Sequence, residues 1–70
     1  MNIAYDAEVD ALYLKLSPGR HEVSTTSIDE DIALDFDELD RLVGIEVLDA
    51  SKRVDLGYLL PAEVTAASGS

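Results

Sequence analysis

The sequence predicts an α+β fold that is mainly β: an antiparallel meander sheet of four or five strands with a short C-terminal helix. Apolar residues recur at every second position through most of the chain, which is the period of strands with one buried face. Turn-forming segments separate these runs at hairpin spacing. Beyond Asp49 the alternation ends, and Pro61 followed by Glu63 and several alanines is typical of a helix start.

The first two strands are predicted over residues 2–6 and 11–16, joined by a loop at 7–10. One register pairs apolar side chains across the ladder and places them on one face: Tyr5 with Leu12, and Ile3 with Leu14. Asp6 and Asp10 flank the loop. We interpret both as structural turn residues whose carboxylates accept hydrogen bonds from nearby backbone N–H groups.

The third strand is predicted at about residues 22–28, after a turn that contains Pro18 and Gly19. Its residues are β-branched, small and polar, as in an edge strand or a half-solvated one. The only histidine, His21, precedes it, and we interpret this residue as a surface side chain because no second His or Cys joins it.

The fourth and fifth strands form a second hairpin, with a two-residue loop at Leu39-Asp40. This loop pairs apolar residues on one face: Phe36 with Val43, Leu34 with Ile45, and Ile32 with Val47. Glu38 then lies opposite Arg41 as an exposed ion pair of small stabilising effect, ~0.2–1 kcal/mol. The outward face carries the carboxylates Asp35, Asp37 and Glu46.

The C-terminal part starts with "DASKRVD", which is consistent with a short helical turn or with an irregular exit from the sheet. A helix from Pro61 would be anchored on the sheet by Leu59, Leu60 and Val64. We expect one domain over residues 1–66 and a disordered tail at 67–70.

Composition restricts the function classes. Fifteen Asp and Glu against five Lys and Arg give a formal net charge of −10, which argues against direct binding to nucleic acid. The simpler interpretation is that this charge keeps the protein soluble, and the more specific one is that it is electrostatically complementary to a basic partner protein. The absence of Cys excludes disulfides and thiolate metal sites. The chain has no apolar run of ~20 residues, and its start lacks the layout of a signal peptide, so with the absence of Cys we expect a cytoplasmic protein without membrane contact. We also expect no cofactor.

The acidic cluster at the first loop suggests a calcium site, but its sequence does not match the EF-hand pattern. Asp6, Glu8 and Asp10 fill the first three ligand positions of an EF-hand, but Ala11 and Ser17 stand where Gly and Glu are required. The second acidic run, from Asp29 to Asp40, is more simply a solvated face than a pocket for acid–base chemistry. We therefore predict no metal ligands and no catalytic residues, and an enzyme is the less favoured class.

Two separated motifs resemble the small bacterial family called domain of unknown function 2283, over roughly residues 1–53. The matching residues are Tyr5, Asp6, Asp10, Ala11, Leu12 and Tyr13, then Val43, Gly44, Ile45, Glu46, Leu48, Asp49, Ala50 and Ser51. The resemblance implies a small stand-alone cytoplasmic protein with an antiparallel sheet and no defined catalytic residues. Some members lie beside genes for small toxin-like proteins, which implies an antitoxin-like or partner-binding role. The turn at Leu39-Asp40 departs from the Asp-Gly common in the family.

We therefore favour a non-enzymatic protein–protein interaction module that binds a basic protein. A small core with apolar residues on both faces also favours a homodimer. The predicted binding residues are Tyr5, Tyr13, Asp35 and Glu46, and Gly44 is predicted to allow close packing by Tyr13 or by the C-terminal helix. Two alternatives stay open: a metal-dependent or acid–base enzyme using Asp6, Asp10, Asp35 and Glu46, and a small-ligand module at a dimer seam.

Overall fold

The strands and helices were located in a computed structural model, which describes residues 2–20, 22–60 and, for the backbone, 64–66. The strands are β1 Asn2–Asp6, β2 Ala11–Lys15, β3 Ser24–Ser27, β4 Ile32–Phe36, β5 Leu42–Val47 and β6 Val64–Ala66. The helices are α1 Ala50–Arg53 and α2 Leu56–Leu59. The predicted class, an α+β fold that is mainly β and built on an antiparallel sheet, is confirmed. His21 and residues 67–70 lie outside the described residues.

The strand order differs from the predicted meander. It is β3-β4-β5-β2-β1-β6, so β2 pairs with β5 and not with β3. A meander would place β3 in the middle of the sheet, where a strand needs apolar side chains for its covered face. The sequence Ser-Thr-Thr-Ser offers none, and all four residues are exposed at the edge. Strand β5 brings Ile45 and Val47 to β2 instead, opposite Leu14 and Leu12.

The register of the first hairpin is confirmed. Tyr5 lies opposite Leu12 and Ile3 opposite Leu14, with residues 7–10 as the loop. Ile3 and Leu12 are buried, at 2% and 0% exposure, so this pairing builds the centre of the core.

The register of the second hairpin is confirmed in part. Ile32 pairs with Val47 and Leu34 with Ile45, as predicted, but the pairing shifts between Asp35 and Phe36. Phe36 therefore lies opposite Leu42, not Val43. The shift is a β-bulge, which inserts one extra residue into one strand of the pair.

The loop of this hairpin explains the shift. The Asp37 N–H donates to the Arg41 carbonyl at 2.9 Å and the Asp40 N–H to the Asp37 carbonyl at 3.0 Å, which leaves three loop residues, not two. Asp40 takes a positive φ of 65°, as expected for the last residue of a three-residue hairpin loop.

The predicted ion pair between Glu38 and Arg41 is replaced by a different one. The Arg41 Nε donates to Asp37 Oδ2 at 2.9 Å. Asp37 is buried, and its Oδ1 accepts bonds from the backbone N–H groups of Leu39 and Arg41. These bonds lower the pKa of Asp37, with the Arg41 N–H as the largest cause. Arg41 therefore pairs with Asp37, whose carboxylate also accepts the backbone hydrogen bonds of the loop.

The predicted short helix near the C-terminus is confirmed, but it lies earlier in the chain than the predicted start at Pro61. The chain is helical earlier, in α1 and α2, and Asp55 begins α2 by accepting a bond from the Tyr58 N–H at 3.1 Å. Residues 61–63, including Pro61, lie outside the described residues, but Val64–Ala66 is a strand parallel to β1. The outer edge of β1 offers unpaired backbone groups there, and β-branched residues favour a strand.

The two helices cover one face of the sheet only. Ala50 is buried in the core with Ile3, Leu12 and Val47, and Val54, Leu56 and Leu59 pack against this cluster. No described helix is long and apolar enough to cross a membrane. The other side of the sheet is called the open face below.

Candidate functional site

The open face brings together three of the four predicted binding residues. Side chains alternate between the two faces of a strand, and cross-strand partners share a face. The register forms two rows on this side: Thr25, Asp35, Gly44 and Lys15, then Ala33, Glu46 and Tyr13. Tyr13, Asp35 and Glu46 therefore come from three neighbouring strands, β2, β4 and β5.

Asp35 is held by two hydroxyl groups. The Tyr13 hydroxyl donates to Asp35 Oδ2 at 2.9 Å, and the Thr25 hydroxyl donates to Asp35 Oδ1 at 2.7 Å. Each carboxylate oxygen thus accepts one bond, from a strand on either side of it. The carboxylate is fixed in position on the face while it keeps further acceptor capacity.

Gly44 makes room for the Tyr13 side chain. A Cβ at position 44 would overlap the hydroxyl oxygen and Cζ of Tyr13, so the ring lies directly over this glycine. The predicted close approach at Gly44 is therefore made by Tyr13. The ring crosses β5 to reach Asp35 on β4, which no side chain at position 44 would permit.

The environment of Tyr13 changes its titration. Partial burial raises the pKa of the Tyr13 hydroxyl, and the hydrogen bond to Asp35 raises it further. The nearby charges of Asp35 and Glu46 act in the same direction. The tyrosine is consequently held in its neutral, hydrogen-bond-donating form, which is unsuited to a general base or a nucleophile near neutral pH.

Glu46 is the exposed carboxylate of the open face. It lies opposite Tyr13 on one side and Ala33 on the other. The ion pairs among the described residues involve other carboxylates, namely Asp29, Asp31 and Asp37. With Glu46 and the fixed Asp35 against Lys15 in the same two rows, this face has a net negative charge next to an aromatic ring.

Tyr5 does not join this group. It shares the covered face with Leu12, and its hydroxyl donates to Asp10 Oδ1 at 2.7 Å. This bond is the largest cause of the raised pKa of Tyr5. Tyr5 is thus part of a second cluster, at the first loop and the start of α1.

Asp10 is the centre of this second cluster. Its Oδ2 accepts a bond from the Ser51 hydroxyl at 2.6 Å and its backbone carbonyl accepts the Ala50 N–H at 2.9 Å. The Ser51 N–H lies 3.1 Å from Asp10 Oδ1. The Ser51 hydroxyl is the largest cause of the lowered pKa of Asp10. These hydrogen bonds of Asp10 connect the first loop to the start of α1.

Asp6 has a local contact. Its Oδ1 accepts the Glu8 N–H at 3.0 Å, across the loop. Among the described residues, no group of three or more His, Cys, Asp or Glu side chains is placed to hold a metal ion.

A third acidic cluster is neutralised by one arginine. Arg53, in α1, donates to Asp29 Oδ2 at 2.7 Å and to Asp31 Oδ2 at 2.9 Å. Asp29 Oδ1 also accepts the backbone N–H groups of Asp31 and Ile32. Together these contacts lower the pKa of Asp29 to about 2, with Arg53 as the largest cause.

Sequence reasoning missed Thr25, Ser51 and Arg53 as partners of acidic residues. The contact of Thr25 could have been predicted from the sequence, because pairing β3 with β4 puts Thr25 opposite Asp35. The contacts of Ser51 and Arg53 join residues 41 and 24 positions apart and depend on where α1 packs. No periodicity or spacing signals such a contact.

Comparison with known protein families found a matching family model. A family model described as "Protein of unknown function (DUF2283)" matches residues 2–51. The comparison with curated proteins and the comparison with solved structures each found no match. The matched span contains the open face and both partners of the Asp10–Ser51 contact. It ends just before Arg53, so it leaves out the arginine of the third cluster.

Proposed function

The chain belongs to the DUF2283 family of proteins of unknown function, and on that premise we propose that it is a non-enzymatic protein–protein interaction module for a basic partner protein. The observation that supports this most is the imbalance of charge. The net charge is −10, and the ion pairs of the described residues neutralise only Asp29, Asp31 and Asp37. Most carboxylates are thus left to meet cations from outside the chain.

The open face is our candidate for the contact surface. Asp35 is held in place by Tyr13 and Thr25, so binding does not have to fix its side chain first. Glu46 is exposed beside it, and the Tyr13 ring adds an aromatic surface. A lysine or arginine of the partner can pair with these carboxylates and contact the ring, the combination that favours cations at protein interfaces.

Some members of the family that the sequence resembles lie beside genes for small toxin-like proteins, and this makes the proposed role more specific. We propose an antitoxin-like function in the cytoplasm, in which the acidic protein covers a small basic protein. Carboxylates steer association with such a partner and speed it at low ionic strength. Binding should therefore weaken as salt is added.

The experiment is co-purification with the product of an adjacent gene, followed by a titration of the purified pair at several salt concentrations. We expect a complex whose association slows with salt, and rescue of growth when both proteins are co-expressed. Absence of binding at low salt, together with no rescue of growth, would contradict the proposal.

A matched set of variants tests the surface. Asp35→Asn and Glu46→Gln remove charge from the open face with little change in shape. Glu38→Gln removes one charge at the tip of the second hairpin and serves as the control. Each open-face variant should weaken the complex more than Glu38→Gln does, and the two together should weaken it by about tenfold or more, at about 1.4 kcal/mol per factor of ten. Equal effects of all three variants would show that the open face has no special part in binding.

A further inference from the structure

Among the described residues, no strand pairs with the outer side of β3, so one edge of the sheet is open there. Ser24–Ser27 pairs with β4 on one side, is the outermost strand of the sheet, and is exposed along its whole length. Edge strands are commonly protected by being very short, or by a charged side chain, a proline or a bulge within the strand, and of these devices β3, at four residues, has only its short length. The sequence Ser-Thr-Thr-Ser has no charge and no proline, and its register with β4 is regular.

The hydrogen bonds fix which backbone groups point outward. The Ile28 N–H donates to the Ile32 carbonyl at 2.7 Å, and the Leu48 N–H donates to the Asp31 carbonyl at 2.7 Å. In antiparallel pairs the bonding residues alternate along each strand. Residues 24, 26 and 28 therefore face β4, whereas Thr25 and Ser27 direct their N–H and C=O groups away from the sheet.

The charges around this edge define what fits it. The strand is neutral, but exposed Glu22 precedes it and exposed Glu30 follows it. Asp35 lies one strand further in and is bonded to the Thr25 hydroxyl at 2.7 Å. An added strand would thus have carboxylates beyond both of its ends, and a third carboxylate on the far side of β3, level with its centre. A second copy of this chain would bring its own net charge of −10 to the same place.

We propose that the β3 edge binds an extended basic segment of the partner as a seventh strand, paired through the backbone of Thr25 and Ser27. This inference rests on the proposed function and specifies how the partner docks. Backbone bonds give such an added strand its affinity, and its alternate side chains give specificity. Lysine or arginine on the side of the open face would meet Asp35.

The first test uses a synthetic probe and amide NMR of the full chain. The probe is a peptide of about seven residues that alternates lysine with valine or threonine, long enough to span β3 and its flanks. Its control has the same sequence with alternate backbone nitrogens methylated, which keeps charge and side chains but removes the donors. We expect the amide signals of Thr25 and Ser27 to shift with the first peptide and not with the second.

The second test changes one outward N–H of the protein. Ser27→Pro removes this donor at an edge position, where proline is compatible with a strand, and Ser27→Ala keeps the donor. We expect the proline variant to bind the peptide and the partner about tenfold more weakly than the alanine variant. The circular dichroism spectra of both should match that of the unchanged protein. If the proline variant unfolds, the methylated peptide decides the question alone.

The outcomes separate the two proposals. Binding of a basic protein that shifts the Tyr13 and Glu46 amides and leaves Thr25 and Ser27 unchanged would overturn the edge inference and keep the proposed function. Equal binding of the methylated peptide would also overturn it, as would dimerisation through β3 that no basic peptide displaces. Failure to bind both the basic peptide and the basic protein would remove both proposals.

Discussion

The ring of Tyr13 lies over Gly44 and reaches across β5 to the carboxylate of Asp35. This relationship links three strands on a face that neither described helix covers. It also explains how a large side chain on the outward side of the sheet is partly buried without a second layer. The glycine is needed for the space above it, since its own φ is not in the left-handed region.

We expect Gly44→Ala to destabilise the protein. The added methyl group would overlap the Tyr13 hydroxyl, and overpacking of this kind typically costs about 1–3 kcal/mol. The Tyr13 side chain would have to leave its place and would lose its bond to Asp35. Urea denaturation, with the free energy of unfolding as the readout, measures the effect.

A double mutant shows whether Tyr13 is the cause. In a Tyr13→Ala background the space above position 44 is empty, so the Gly44→Ala cost should largely disappear. Tyr13→Phe is the milder control, because it keeps the ring and removes only the donor to Asp35. Additive costs in the Tyr13→Ala background would contradict the direct overlap.

The contact between Asp10 and Ser51 leads to a second prediction. Asp10→Asn and Ser51→Ala should each lower the melting temperature, because each breaks the fastening of the first loop to α1. The double mutant should lose less than the sum of the two, as expected for residues of one network. Ser24→Ala, at an exposed serine of β3, is the matched control. Strict additivity of Asp10→Asn and Ser51→Ala would argue that the two side chains act separately.

The pairing of Arg53 with Asp29 predicts a loss of stability in acid. The pKa of Asp29 in the folded protein, about 2, lies below its ordinary value of 3.8. A depressed pKa contributes stability above pH 3.8, and this contribution is lost as the pH falls toward 2. Arg53→Gln should therefore reduce stability near neutral pH and flatten the pH dependence between these values.

Thermal unfolding monitored from pH 5 to pH 2 tests this expectation. Lys52→Gln removes a positive charge from the neighbouring position in α1 and is the control for net charge. The Arg53→Gln and Lys52→Gln curves should differ most above pH 3.8 and converge in acid. Parallel curves at all pH values would show that Arg53 does not set the titration of Asp29.

The parts of the fold that sequence could predict are those governed by local alternation. The registers of Tyr5 with Leu12 and of Ile32 with Val47 follow from placing apolar residues on one face. The same alternation does not decide which strands become neighbours. That depended on the polarity of β3, since a strand with no large apolar side chain is more stable at an edge than in the middle.

The candidate site was predictable to a similar extent. Asp35 and Glu46 could be placed on the outward face from the β4–β5 register. The position of Gly44 in a strand indicated a close approach there, but not whether Tyr13 or the C-terminal helix makes it. Tyr5 could not be separated from Tyr13 by residue type, although their strand positions put them on opposite faces. The alternation of apolar residues could not predict the bulge at Phe36, because the bulge follows from the hydrogen bonds of Asp37 in the loop.

Two aspartates with similar positive φ angles give the last prediction. Asp10 and Asp40 both lie in the left-handed region, with φ of 56° and 65°. Glycine removes the strain of this conformation, so Asp40→Gly should stabilise the protein by about 0.5–1 kcal/mol after the entropy of the unfolded chain is included. Asp10→Gly relieves the same strain but loses the bonds to Tyr5 and Ser51. It should destabilise, and denaturant unfolding of the two variants compares them directly. A loss of stability in Asp40→Gly would mean that the Asp40 side chain has a role that its backbone does not reveal.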